Sequence, residues 1–361
     1  MIVILLAIFL GRRNTRYNRK TYIVLVLFFL MIETSIRSVT VGSDTESYVD
    51  DFYNMVNSSW GDLNQKILER YVLNVSEMDI GHYILGKFFA LFSSSFQLYT
   101  FFITSIFTIP LGIFLYRYTN NFYQLTFAFV FFIALMLIFP MCGARQMQAI
   151  GLAIMSCLYV DKGKFLTAII LILVGTVVHM SILLMLPYVI LNYWKPTLSK
   201  KLHLLSFAVL PVALLFTNQI IYNMAIVSGM ERYEKYGEGD IAGGATTFIV
   251  LLILMSVFCY LGISKEYLSN NLRVQKLYMT LPFISLLGPL IYSNGSMIRI
   301  SMYYHMYLMV LIPYAIENFN SNLNKKTIYI IAIAALAFFS IMGTPLPYEF
   351  FWNDPPGTWK N

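Results

Sequence analysis

The sequence predicts an all-α, polytopic membrane protein with about twelve transmembrane helices, and three observations carry that expectation. Of 361 residues, 58% are hydrophobic and only 12% are charged, about half the charged share of an ordinary soluble domain. Aromatic residues reach 16%, which suits belts of Trp and Tyr at two membrane interfaces. Apolar runs near the 20 residues that a helix needs to cross roughly 30 Å of hydrocarbon recur along the chain. The short alternating segments of a β-barrel do not.

The elements follow in order. Met1 to Leu10 is apolar but too short to span at 1.5 Å per residue. A basic cluster comes next: Arg12, Arg13, Arg16, Arg19 and Lys20. A secretory leader carries its charges first, so no cleaved peptide is expected here. With the cluster taken as cytoplasmic, the run from Thr21 to Val39 leads out to a first outer loop, 40–95. That loop carries eight acids between Asp44 and Asp79, then a short interfacial or re-entrant helix from Gly81 to Ser95.

Later spans are clearest at Phe122 to Pro140, Thr246 to Ile263 and Thr327 to Met342. Cytoplasmic turns then fall at Arg117, Asp161–Lys164, Lys195–Lys201, Ser264–Lys276 and Glu317–Lys326. This places sixteen Lys/Arg and three acids inside, against nine bases and fifteen acids outside or near the outer helix ends. Both termini lie outside in this reading. A second outer loop, 221–245, holds Arg232, Tyr233 and Tyr236 ahead of a glycine-rich stretch, and loops this long are more often functional than idle. No repeat, low-complexity tract or soluble domain with a core of its own interrupts 1–361, which reads as a single membrane domain.

Cys142, Cys157 and Cys259 have no metal-ligand spacing and read as small buried hydrophobes. The net charge of +7 is spent on one side of the membrane, which argues against a nucleic-acid partner. Ionisable groups at the ends of apolar helices are a different matter, because charge at bilayer depth costs about 3 kcal/mol on insertion scales. Arg145 and Arg299 each open a helix at its outer end, His179 lies near the outer end of another, and His305 follows Arg299 by nearly two turns. Arginines at helix ends ordinarily snorkel to headgroups, and a buried histidine ordinarily bonds a neighbouring helix. These two arginines, however, sit on the side where bases are scarce.

Anion handling is the chemistry they suggest. A guanidinium grips phosphate bidentately and keeps its charge, and a helix N-terminus adds aligned N–H groups. Two or three such arginines facing an outer cavity can hold a lipid-linked diphosphate and stabilise the charge that develops as it leaves a sugar. No metal or cofactor is required for that. Asp44, Asp50 and Asp51 offer carboxylates as base or metal ligand, with a solvated acidic loop as the plainer reading.

At these residues the chain resembles a known family. Gly42-Ser-Asp-Thr-Glu-Ser-Tyr48 is similar to the G-x-D-x-x-x-Y of the EpsG-like branch of Wzy polysaccharide polymerases. Gly143-Ala-Arg-Gln146 resembles that family's arginine-led helix, and the basic turn Asp161–Lys164 followed by Val178-His-Met-Ser181 resembles its histidine segment. Where the family often shows H-H-S, this chain has His179-Met180-Ser181. Arg232-Tyr-Glu-Lys-Tyr236, Arg299-Ile-Ser-Met-Tyr303 with Leu311-Ile-Pro313, and Tyr348-Glu-Phe-Phe-Trp352 follow in order.

The resemblance implies a GT-C-like glycosyltransferase of the bacterial inner membrane with its active side periplasmic or extracellular. Such an enzyme joins undecaprenyl-diphosphate-linked oligosaccharide units into O-antigen, capsule or exopolysaccharide. It implies Arg145 and Arg299 on the diphosphate, His179 and Asp44 at the acceptor hydroxyl, and Arg232 as a further phosphate contact. Tyr48, Tyr233, Tyr236, Tyr303 and His305 are the expected substrate contacts. The implied partners are the lipid-linked oligosaccharide, membrane lipids and a chain-length regulator protein. Two rivals stand beside this reading. A flippase for the same units needs charged groups at mid-membrane depth, and a membrane O-acyltransferase needs a histidine paired with a carboxylate; neither feature is visible in the spacing.

Overall fold

A computed structural model describes residues 2–73, 79–195, 197, 199–217, 219–220, 222–223, 245–288, 291, 298–319, 322–342, 348–355 and 358–359. The described residues are almost wholly helical, and their extended pairing is an antiparallel bridge between Arg37 and Phe350. The chain divides into two compact units. The first comprises Met1–Ser156, Ile170–Leu183 and Tyr329–Asn361, and the second Cys157–Ile169 with Leu184–Ile328.

In the first unit, α1 (Ile2–Gly11) and α2 (Arg16–Ser35) come first. At 10 residues, α1 is about 15 Å long and too short to cross. The Thr15 hydroxyl caps α2 by accepting from the Asn18 amide at 3.1 Å. Helix α2 therefore begins inside the basic cluster, one turn before the apolar run that announces it.

The region 40–95, expected as a first outer loop with a short interfacial helix, holds more helix than that expectation. It folds into α3 (Thr45–Asn57), α4 (Trp60–Tyr71) and α5 (Ile80–Phe89). Its acids lower the average hydropathy, yet Tyr48, Val49, Phe52, Tyr53 and Met55 recur at helical spacing and are all buried. Phe52 stacks on Tyr99 with ring centroids 4.4 Å apart. Helix α5, also about 15 Å by its 10 residues, fits the short non-spanning helix expected after Gly81. Lys87 near its end is buried and donates to the Met55 carbonyl at 3.0 Å and to that of Ser58, closing the C-terminal end of α3.

Helix α6 (Phe96–Tyr118) has 23 residues, about 34 Å, enough to cross the bilayer; it packs along α2. The apolar run to Pro140 is divided, a correction: α7 (Phe122–Met136) stops at Leu137, and the five-residue α8 (Ile138–Cys142) follows before Gly143. Helices α9 (Ala144–Asp161) and α10 (Phe165–Val178) then form a hairpin. The unit is completed by most of the last long helix, Lys325–Met342, which is long and apolar enough to span. Its Tyr329 stacks on Tyr123 of α7, while Ile330, Ile331, Phe338, Phe339, Ile341 and Met342 are exposed, a surface suited to lipid rather than water.

A segment at residues 348–359 folds back on the end of α2. The Ser38 amide donates to the Glu349 carbonyl at 2.9 Å and the Phe351 amide to the Ile36 carbonyl at 3.0 Å. The Trp359 indole donates to Asp354 at 2.9 Å and stacks on Phe96.

The second unit holds α11 (Leu186–Trp194), α12 (Ser199–Leu215), α13 (Ala245–Gly262), α14 (Lys265–Asn270), α15 (Leu272–Tyr278), α16 (Leu281–Leu286), α17 (Ile298–His305) and α18 (Leu308–Asn318). Helix α12 lies along α16, and α13 along α18. The end of α9 is held here: Lys276 donates to the Val160 carbonyl at 2.9 Å, and Arg273 pairs with Asp161 at 3.4 Å.

Candidate active site

The site forms in the first unit, where the N-terminal ends of α3, α5 and α9 meet the C-terminal end of α10. Gly42 opens it. Its φ of +95° is one that side chains rarely adopt, and a Cβ there would meet the Met141 carbonyl oxygen at 2.9 Å. The buried Arg37 guanidinium bridges the same turn, donating to Thr45 Oγ1 and the Met141 carbonyl at 3.3 Å each and to the Thr34 carbonyl. Asp44 is the N-cap residue of α3 and accepts from Ser43 Oγ at 2.8 Å. Tyr48 lies one turn further on, its amide bonded to the Asp44 carbonyl at 3.1 Å, so the two share a helix face.

Gly143 ends α8, and Arg145 stands in the first turn of α9. Its guanidinium lies 5.8 Å from the Tyr48 ring centroid, a cation–π distance. Its Nη1 is 3.6 Å from Asp79 Oδ2, the Arg145 side chain remaining 32% exposed against 7% for Asp79. His179 follows the end of α10, its amide bonded to the Gly175 carbonyl at 2.9 Å. Its Nδ1 is 3.4 Å from the same Asp79 oxygen.

A close backbone contact makes this convergence possible. A Cβ on Gly81 would lie 2.7 Å from the Val177 carbonyl oxygen and 2.9 Å from the Val178 amide nitrogen. Only glycine lets the first turn of α5 press against the end of α10, and that press carries Asp79 to His179.

A second layer lies beneath. His82 is fully buried, with Gln148 Nε2 3.2 Å from its Nδ1 and the Tyr99 hydroxyl 3.4 Å from its Nε2. The Tyr48 and His82 rings meet edge to face at 5.8 Å. Burial, and after it the Arg145 charge, holds the His82 imidazole below its ordinary pKa, so it serves as a neutral hydrogen-bonding hub. The Tyr83 hydroxyl donates to Asp51 at 2.9 Å. Burial, reinforced by that carboxylate, raises the phenol above its usual range and keeps it a donor.

Of the expected site residues, Arg145, His179 and Tyr48 thus gather here, with Asp44 one turn from Tyr48. Arg299, Tyr303 and His305 lie on α17 of the second unit. Arg299 is half-buried in the first turn, while Tyr303 and His305 are fully buried. His305 Nδ1 is 2.8 Å from Ser301 Oγ and its ring packs against Phe248, the plainer of the two roles weighed for it. Arg232, Tyr233 and Tyr236 lie outside the described residues.

Two members of the site escaped the sequence reading, Asp79 and His82. Asp79 was counted among the solvated acids of an outer loop, yet it is buried between two basic side chains. A legible signal was present, since Asp79-Ile-Gly-His82 sets a carboxylate and an imidazole three apart around a glycine at the start of a short apolar helix. Chemically, the arrangement offers a guanidinium for an anion, an imidazole for a proton and a carboxylate touching both.

Comparison with known proteins places this geometry in context. A family model described as the EpsG family matches residues 20–352, a stretch that contains every residue of the site. No curated protein matches the chain, and no solved structure does.

Proposed function

The chain belongs to the EpsG family, a family of polysaccharide polymerases of the membrane, and from that premise we propose that it polymerises undecaprenyl-diphosphate-linked oligosaccharide units on the outer face of the inner membrane. The donor is the growing chain on its lipid diphosphate, the acceptor a hydroxyl of a fresh unit, and the product polymer is an O-antigen, capsule or exopolysaccharide. The observation that carries this reading is the convergence of Arg145, Asp79 and His179 at one end of the first unit, with Arg145 still open to solvent.

Arg145 binds the diphosphate and stabilises the negative charge that grows on it as the glycosidic bond breaks. The α9 N-terminus adds its own N–H groups to the same anion. His179 accepts the proton of the acceptor hydroxyl. Tyr48 and Asp44, on one face of α3, contact the sugar. Arg299 of the second unit and Arg232 are separate candidates for phosphate contact, each to be tested by its own alanine variant, whereas Tyr303 and His305 are fully buried. A metal has no step in this scheme.

The test is reconstitution of the purified protein in vesicles with lipid-diphosphate-linked repeat units, with and without a chelator. A ladder of lengthening products is expected in both. Arg145→Ala should reduce turnover by about 10²–10³-fold, the range for removing one donor to a developing oxyanion. Arg145→Lys should recover little of it, because a point charge does not reproduce the fork. A ladder that forms normally with Arg145→Ala, at normal protein levels, would end this reading. Movement of the monomer across the membrane without a ladder would instead identify a flippase.

A further inference from the structure

We propose that Asp79 is the positioning residue that makes His179 the base of the reaction, a role that rests on the polymerase reading above. Asp79 Oδ2 faces His179 Nδ1 at 3.4 Å and Arg145 Nη1 at 3.6 Å. Both distances are longer than a made hydrogen bond, and His179 Nδ1 is buried with no hydrogen-bond partner. The carboxylate beside that nitrogen is the one that also faces the arginine. Catalytic hydrogen bonds are often this long before substrate arrives and close when it does.

The geometry determines which way the pair works. A carboxylate at Nδ1 accepts the N–H from that side of the ring, which leaves Nε2 as the acceptor. At 19% exposure the ring is still reachable. A diphosphate arriving at Arg145 supplies the guanidinium with a richer anion than one carboxylate oxygen. Asp79 then turns its charge to His179, so donor binding itself readies the base.

The step balances without another reactant. The acceptor O–H bond breaks and its proton passes to His179 Nε2. The acceptor oxygen forms its bond to the anomeric carbon, and the bond from that carbon to the phosphate oxygen breaks. The electron pair leaves on the lipid diphosphate beside Arg145. Asp79 stays ionised throughout and stabilises the imidazolium that has formed. His179 afterwards returns the proton to solvent or to the departing diphosphate.

Gly81 brings this pair together. The close approach of Gly81 to residues 177–178 sets the start of α5 against the end of α10, two residues from Asp79 and one from His179.

Asp79→Asn, Asp79→Glu, His179→Ala and the double variant Asp79→Asn/His179→Ala test the proposal in the vesicle assay, with kcat and the donor KM measured separately. Asp79→Asn is expected to lower kcat by about 10²–10⁴-fold while the donor KM changes by less than about threefold. In the His179→Ala background the same substitution should cost less than about threefold, because residues acting as a unit are not additive. Asp79→Glu should regain at least about tenfold over Asp79→Asn. If Asp79→Asn does not accumulate in the membrane, Asp79→Glu is compared in the two backgrounds, with a loss expected only where His179 is present.

Two results overturn the proposal. One is an Asp79→Asn enzyme with unchanged kcat and a lowered donor KM, which would make Asp79 only a competing counter-ion for Arg145. The other is a kcat loss that persists undiminished without His179. A wild-type protein that builds no ladder overturns the polymerase reading itself, which keeps the two failures apart.

Discussion

At the scale of the residue, Gly81 shows how an absent side chain positions chemistry. A Cβ at 2.7 Å from the Val177 carbonyl oxygen cannot be accommodated without moving backbone. Gly81→Ala is therefore expected to push the first turn of α5 away from α10, with an overpacking cost of about 1–3 kcal/mol, and to separate Asp79 from His179. Product-ladder turnover should fall while the protein still reaches the membrane; a thermal-stability midpoint and turnover both equal to wild type would refute this. Residues such as Arg145 and His179 were legible in the sequence because ionisable groups stand out against apolar helices. Asp79 was not. It sits in a run of acids where average composition says solvent, and its partners on α9 and α10 are far away in the chain. Pattern reading detects what a residue contrasts with locally, and the value of Asp79 lies in what arrives from elsewhere.

At the scale of the element, the region between α2 and α6 carries the lesson of amphipathic helices that hydropathy dilutes. Helix α4 is fastened by a capping box in which Ser59 Oγ accepts from the Asp62 amide at 3.1 Å and Asp62 Oδ2 accepts from the Ser59 amide at 2.6 Å. Its Leu63 and Ile67 then pack on Met55 and Tyr83. Ser59→Ala should cost about 1 kcal/mol of local stability, read as faster amide hydrogen exchange over residues 60–63, and unchanged exchange would remove the cap from the account.

The same box predicts a pH response. The Ser59 backbone N–H holds the Asp62 carboxyl below its ordinary range, so the folded state binds its proton later than the unfolded chain does. The contribution is complete above the ordinary carboxylate pKa of about 3.9 and fades as pH falls through the depressed value. Protection of these amides should accordingly drop only in strong acid. The Ser59-x-x-Asp62 spacing was readable as a cap. The break of the aromatic run at Leu137 was less so, since nothing before Pro140 and Gly143 disfavours a helix.

At the scale of the whole molecule, the charge asymmetry predicts an orientation, and that prediction is directly measurable. Cys142, Cys157 and Cys259 are buried, so a new surface cysteine reports alone. Asn64→Cys on α4 should react with an impermeant maleimide in intact cells, whereas Lys162→Cys in the α9–α10 turn should react only after permeabilisation. The reverse pattern would invert the topology and put the candidate site on the wrong side for a lipid-linked acceptor. The broad plan, an all-helical membrane protein, was legible because solvent preference is written in every residue. The grouping into two units was not, because it depends on which apolar faces choose one another. The segment holding Glu349, Phe351 and Asp354, bonded to Ile36 and Ser38, has a consequence for biosynthesis. The first unit contains α1 and α2 yet remains unfinished until those distant residues have been made, so the end of α2 that they cover waits through the insertion of every intervening helix. Assembly of the first unit is therefore paced by translation through Asp354, and chaperone or insertase contacts should persist on the early helices for as long as that stretch is missing.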